Sequence, residues 1–256
     1  MKTDQIACQL YTLRDHLTSP RDIARTLARV RALGFPAVEL SGLGPVDDGE
    51  LARMLRGEGL ACCGTHEAGE RLFTNPQAVI GRLRTLGCDI TSYPWPGDLR
   101  WNTPEDVRAF AAQLNAPGKV FREAGITFCY HNHHMEFQRV GGRTVLEALY
   151  DQTDPRYVQA ELDTYWTQFG GGDPVAWCRR MKRRLAILHM KDYAITPDRQ
   201  VAFAEVGAGN LDWPAIVAAA DDAGCRWYAI EQDVCPGDPF ESLKRSYDFV
   251  REKLCR

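Results

Sequence analysis

Short runs of β-forming residues alternate along this chain with longer stretches of helical periodicity. The strand-like runs are Ile6 to Leu13, Ala37 to Ser41, Ala61 to His66, Asp89 to Trp95, Thr127 to His133, Val158 to Trp166, Leu185 to Asp192 and Trp227 to Asp233. Helical periodicity is clearest near Arg21 to Leu33, Pro76 to Leu86, Pro104 to Glu123, Thr144 to Tyr150, Pro174 to Arg183, Trp213 to Ala223 and Pro239 to Leu254. Glycines at 34, 87, 125 and 224 follow helical stretches where a left-handed residue ends a helix. Strand and helix in regular alternation predict a parallel sheet. Eight strands and eight helices in 256 residues predict an α/β fold closed into a single (β/α)8 TIM barrel, with one domain over residues 1–256. No glycine-rich dinucleotide turn follows the first strand, which favours closure over an open doubly wound sheet.

Parallel strands covered on both faces should be almost wholly apolar, so polar residues inside them need a reason. Alternation puts Glu161 on one face with Asp163, His131 with His133, His189 with Lys191, and Glu231 with Asp233. Each group lies late in its run. In a closed barrel those positions meet at the C-terminal mouth, where barrel enzymes keep their active sites. Histidines and acids gathered there are costly to bury without a cation, and a hard to borderline divalent ion suits their nitrogen and oxygen atoms.

Composition narrows the function. A formal net charge of -3 argues against a nucleic-acid partner, because phosphate neutralisation needs a basic surface. The nine cysteines include no C-x-x-C pair and read as buried thiols of a reducing compartment. The first residues lack the apolar stretch of a leader or membrane span, so no membrane partner and a cytoplasmic location are expected. Homo-oligomerisation is left open.

Five segments in this order, Tyr130-His131-Asn132-His133-His134-Met135-Glu136-Phe137, Glu161-Leu162-Asp163-Thr164-Tyr165-Trp166, Leu188-His189-Met190-Lys191-Asp192, Glu205 to Trp213 and Ile230-Glu231-Gln232-Asp233, resemble the sugar phosphate isomerase/epimerase group of the xylose-isomerase-like barrel superfamily. The resemblance implies one divalent ion, manganese, magnesium, cobalt or zinc, with one ligand from each of strands five to eight. Asp163, His189 and Glu231 match three of them. His131 stands where ketose epimerases place glutamate and is similar to the inosose dehydratase branch. Glu136, in the following loop, is an alternative ligand or an acid.

The resemblance implies proton transfer next to a carbonyl in a small-molecule sugar, keto-sugar or cyclitol through an enediolate. Glu231 or Glu136 is the expected base, and a histidine or Lys191 the opposing acid. His66, His133, Trp95 and Trp166 are expected to bind substrate, with Trp101 a further wall of the pocket. The alternative activity is elimination of water or another leaving group from a keto-sugar or inosose. An apurinic-site endonuclease is a distant rival, since Trp166 stands where that branch places a cluster histidine. The plainer reading of Asp163, His189 and Glu231 is a buried ion-pair network filling a barrel layer.

Overall fold

The computed structural model describes residues 1–256 and contains a closed barrel of eight parallel strands. In chain order they are β1 (Ile6–Gln9), β2 (Ala37–Leu40), β3 (Ala61–His66), β4 (Ile90–Tyr93), β5 (Thr127–His131), β6 (Gln159–Asp163), β7 (Leu185–Met190) and β8 (Trp227–Ile230). The expected single TIM barrel is what forms. Closure comes from β8 against β1, with Ile6 opposite Tyr228 and Cys8 opposite Ile230. Between β2 and β3 runs a helix, Asp48–Glu58, that the periodicity does not delimit.

Two expected strands end early for a local reason. After Gln9 the chain enters a 3-10 helix, Leu10–His16, whose start is capped by the Gln9 side chain accepting the Tyr11 N–H. After Asp163 it enters a short helix, Thr164–Phe169, because the Asp163 carboxylate accepts the Trp166 N–H. Trp166 is therefore a helical residue. The four helix-ending glycines do take positive φ, from 68° at Gly87 to 110° at Gly34.

Inside the barrel, chemistry changes with height. A small cluster of Ala7, Ala37, Cys63, Ile90, Cys129, Ile187 and neighbours packs separately from the main core between sheet and helices. Two residues further along the same strands, on the same face, come Gln9, Glu39, Ser92, His131 and His189, all buried. The lumen is thus plugged by small apolar groups at one end and carries ionisable groups toward the other.

Two hairpins sit beyond the strand ends, Arg139–Val140 with Arg143–Thr144 and Asp192–Ile195 with Val201–Ala204. Asp192 fastens the second. Its carboxylate accepts the N–H groups of Gly207 (2.8 Å), Gly209 (3.2 Å) and Leu211 (3.3 Å) and the Trp213 indole N–H (2.6 Å). A Cβ at Gly209 would stand 2.3 Å from an Asp192 oxygen, so the backbone approach needs glycine. The Glu205 to Trp213 motif is thereby a clasp that holds the loop after β7. No helix is long and apolar enough to cross a membrane.

Candidate active site

At the C-terminal mouth a cavity of about 580 Å³ is lined by Tyr11, Arg14, His66, Trp95, His131, His133, His134, Trp166, Lys191, Glu231, Asp233 and others. Another concavity, of about 420 Å³ at the opposite end, is lined by Arg122, Lys182 and Arg183. Arg122 lies in the last turn of the helix Pro104–Glu123 and Lys182 and Arg183 just past the end of Pro174–Arg180, where they complement the helix dipoles, and no acid or histidine cluster accompanies them.

His189 joins two layers of buried groups. On its Nε2 side are Glu39 Oε2 at 2.8 Å and Glu161 Oε1 at 3.0 Å. His66 Nε2 lies 2.6 Å from the same Glu161 oxygen, and Ser92 donates its hydroxyl to the other. On the Nδ1 side are Glu231 Oε2 at 2.8 Å and Asp163 Oδ2 at 3.8 Å. His131 Nε2 is 3.4 Å from that Asp163 oxygen. The layers are built from similar side chains but bonded differently.

In the deeper layer, His66 to Glu161 and His189 to Glu39 are hydrogen bonds. In the upper layer His131 Nε2 meets Asp163 Oδ2 at 3.4 Å, and the buried His189 Nδ1 and Glu231 Oε2 approach to 2.8 Å, with the Lys191 ammonium 3.1 Å from that Glu231 oxygen. Nitrogen and carboxylate atoms gathered this closely can also face a shared cation. The groups' other polar atoms are occupied. His131 donates Nδ1–H to the Pro94 carbonyl (3.3 Å), which turns Nε2 toward Asp163 Oδ2, and Asp163 Oδ1 accepts the Trp166 N–H (2.8 Å). His131, Asp163 and His189 form one group able to hold a metal ion, and Glu39, His66, Glu161 and His189 form another.

Electrostatics separates the groups further. Burial would lower His189, but Glu39 and Glu161 outweigh it and hold its pKa well above the histidine range. Burial would raise Asp163 and Glu231, but Lys191 foremost pulls both below the carboxylate range. The Lys191 ammonium lies 3.1 Å from Asp163, 3.1 Å from Glu231 and 3.2 Å from Asp233. Asp233 is raised to about 6, by burial first and by Glu231 and Asp163 as well, against the pull of Lys191. Burial, then His131 and Lys191, push His133 far below its usual value and keep it neutral.

His131, Asp163 and His189 form one metal-capable group, Glu231 adjoins it only through His189 Nδ1 and Lys191, and His66, His133, Trp95 and Trp166 reach the cavity. Glu136 needs correction. It is fully buried and accepts the Tyr130 hydroxyl (2.6 Å) and the His133 N–H (2.9 Å), so its carboxylate is committed beneath the loop and does not line the cavity. Trp101 is 2% exposed, packs on Phe110 and is no wall of the pocket. Glu39 and Arg14 are site residues that the sequence reading does not single out, and Asp233, which parity places with Glu231 at the mouth, is given no role there. An acid inside Ala37-Val38-Glu39-Leu40 is the same signal that points to Glu161, and Asp233 shares the Glu231 parity. Nothing marks Arg14.

The xylose isomerase-like TIM barrel family model matches residues 27–253. Inosose dehydratase from Bacillus anthracis is 26% identical over 168 residues, which cover 59% of this chain and 56% of the relative. The chain thus spans little more than half the length of the curated relatives it matches. A sugar phosphate isomerase/epimerase structure from Parabacteroides distasonis superimposes with a TM-score of 0.84 at 22% identity, covering 99% of this chain and 96% of that one. A xylose isomerase-like TIM barrel protein from Mycobacterium smegmatis in complex with magnesium gives 0.75 at 14% identity, covering 98% of each chain.

Proposed function

The chain belongs to the xylose isomerase-like TIM barrel family, and from that premise we propose an enzyme that transfers protons next to a carbonyl of a sugar, keto-sugar or cyclitol. One divalent ion would be held by His131, Asp163, His189 and Glu231. The observation that carries the reading is the convergence of the buried donor atoms of His131, Asp163 and His189, with Glu231 Oε2 2.8 Å from His189 Nδ1. Nitrogen and carboxylate donors suit manganese, magnesium, cobalt or zinc, and such an ion supplies Lewis-acid polarisation of a carbonyl.

The chain's own groups divide the remaining work. Glu39 and Glu161 hold His189 Nε2 so that Nδ1 faces the mouth. Asp233, at the cavity wall with its carboxylate 3.2 Å from the Lys191 ammonium, is the carboxyl placed to take up and return a proton, a role for which Glu136 is too deeply committed. Lys191 keeps positive charge beside the oxygen on which negative charge grows as the enediolate forms. The unpartnered His133 Nδ1 and Trp166 Nε1 are free for substrate hydroxyls. Incubation of metal-loaded protein with a panel of keto-sugars and cyclitols in deuterated water tests the reading. Solvent deuterium is expected at the carbon beside the carbonyl; turnover without it indicates hydride transfer and removes this mechanism.

A second reading is dehydration. It is favoured by the inosose dehydratase relatives and by His131 at the strand-five position. Proton loss is then followed by expulsion of a β-hydroxyl, and product mass separates the outcomes.

A further inference from the structure

We infer that the sugar handled at this site carries an apolar aromatic substituent beside the reacting ring, as an aryl glycoside does, and no phosphate. The inference rests on the sugar reading above. Every exposed large hydrophobic side chain of this protein lies beyond the C-terminal end of a barrel strand: Tyr11 after β1, Trp95 after β4, Phe169 after β6, Ile195 after β7 and Val234 after β8, with two companions in the β4 and β7 loops. The opposite face has none. Apolar surface gathered on one rim marks a binding surface, whereas scattered residues would need no explanation.

The rim is continuous with the site. Tyr11, Trp95 and Val234 line the same cavity as His131, Lys191 and Glu231, so a ligand anchored on the floor passes between them on its way out. At about 580 Å³ the cavity falls in the range of pockets for drug-sized ligands and has room beyond one six-membered ring. Trp95 is 50% exposed, yet His133 meets its ring edge-on at 4.8 Å and 88°. The Arg14 guanidinium lies 4.6 Å above the Tyr11 ring. Aromatic faces fixed before the ligand arrives lose little freedom on stacking.

The acids of the same space disfavour phosphate. The cavity's cations are Arg14 and Lys191. Arg14 donates to the Tyr11 and Asp233 carbonyls, both at 3.0 Å, and Lys191 is shared among three carboxylates. Beyond the ion, whose open positions the sugar's own oxygens would take, a phosphate would meet the carboxylates of Asp233 and Glu231, and Arg14 already spends two N–H groups on carbonyls.

Calorimetric titration of manganese-loaded protein with matched methyl and phenyl glycosides of several hexoses, and with the hexose 6-phosphates, tests this. For a sugar that binds, the phenyl glycoside should bind about tenfold more tightly than the methyl glycoside, and Trp95→Ala should bring that ratio close to one. Equal affinities in the unaltered protein, or tighter binding of a hexose 6-phosphate, overturn the inference and leave the sugar reading standing. Binding of no probe removes both. Light scattering that shows a dimer weakened by Trp95→Ala would give the rim to a second copy of the chain and also overturn it.

Discussion

Two layers of buried acids and histidines lie on either side of one imidazole ring, and they differ in how their atoms meet rather than in what they contain. Below His189, Glu39, Glu161 and His66 are joined mainly by hydrogen bonds, with only Glu39 Oε1 left without one. Above it, His189 Nδ1 meets Glu231 Oε2, His131 meets Asp163, and Lys191 supplies the balancing charge, with His131, Lys191 and Glu231 lining the open cavity. A cluster whose lone pairs are consumed internally is a support; one whose lone pairs point at common space is a receptor. Composition alone would have given both layers the same role.

Removal of the shared ring should have the largest effect. His189→Ala is expected to abolish divalent-ion binding in a competition titration, and ion affinity within tenfold of the unaltered protein would break the comparison. His131→Ala, confined to the upper layer, should weaken the ion by about 10- to 100-fold. Glu39→Gln and Glu161→Gln, confined to the lower layer, should weaken it by about tenfold, because Nδ1 is presented less firmly. A larger loss in the lower-layer variants than in His131→Ala would exchange the two roles.

The smallest effect concerns a buried acid outside both layers. Burial raises Glu136 to about 7 although Tyr130 and the His133 N–H pull it down. The folded protein then holds a proton that the unfolded chain releases between pH 4.5 and 7. Stability from this group is therefore present below that window and lost as pH rises through it, by about 3 kcal/mol across the shift. Thermal unfolding should show Glu136→Gln gaining on the unaltered protein from pH 5 to 8, with ion affinity little changed. A pH-independent difference between the two would show that Glu136 is ionised throughout.

The barrel was legible because eight strand-like runs recur with helical stretches between most of them, and the upper layer was legible because Asp163, His189 and Glu231 interrupt apolar runs late in their strands. Parity fails where a strand stops. His133 and His134 fall past the end of β5 on opposite parities, yet both line the cavity because the chain has left the sheet. The fate of Glu136 was hidden for a related reason: the short 3-10 helix at Met135–Phe137 lets its carboxylate reach back to Tyr130, a contact no strand or helix period encodes. Glu39 was readable in principle, one acid in a four-residue apolar strand. Arg14 reaches the cavity only because β1 gives way to a 3-10 helix at Leu10.

Anomalous scattering from a crystal of the manganese-loaded protein tests the central claim most directly. One peak is predicted between His131 Nε2, Asp163 Oδ2, His189 Nδ1 and Glu231, with Lys191 moved aside and Glu39 and Glu161 still bonded to His189 Nε2. A peak seated instead among Glu39, His66, Glu161 and His189 Nε2, with Glu231 left paired to Lys191, would contradict it.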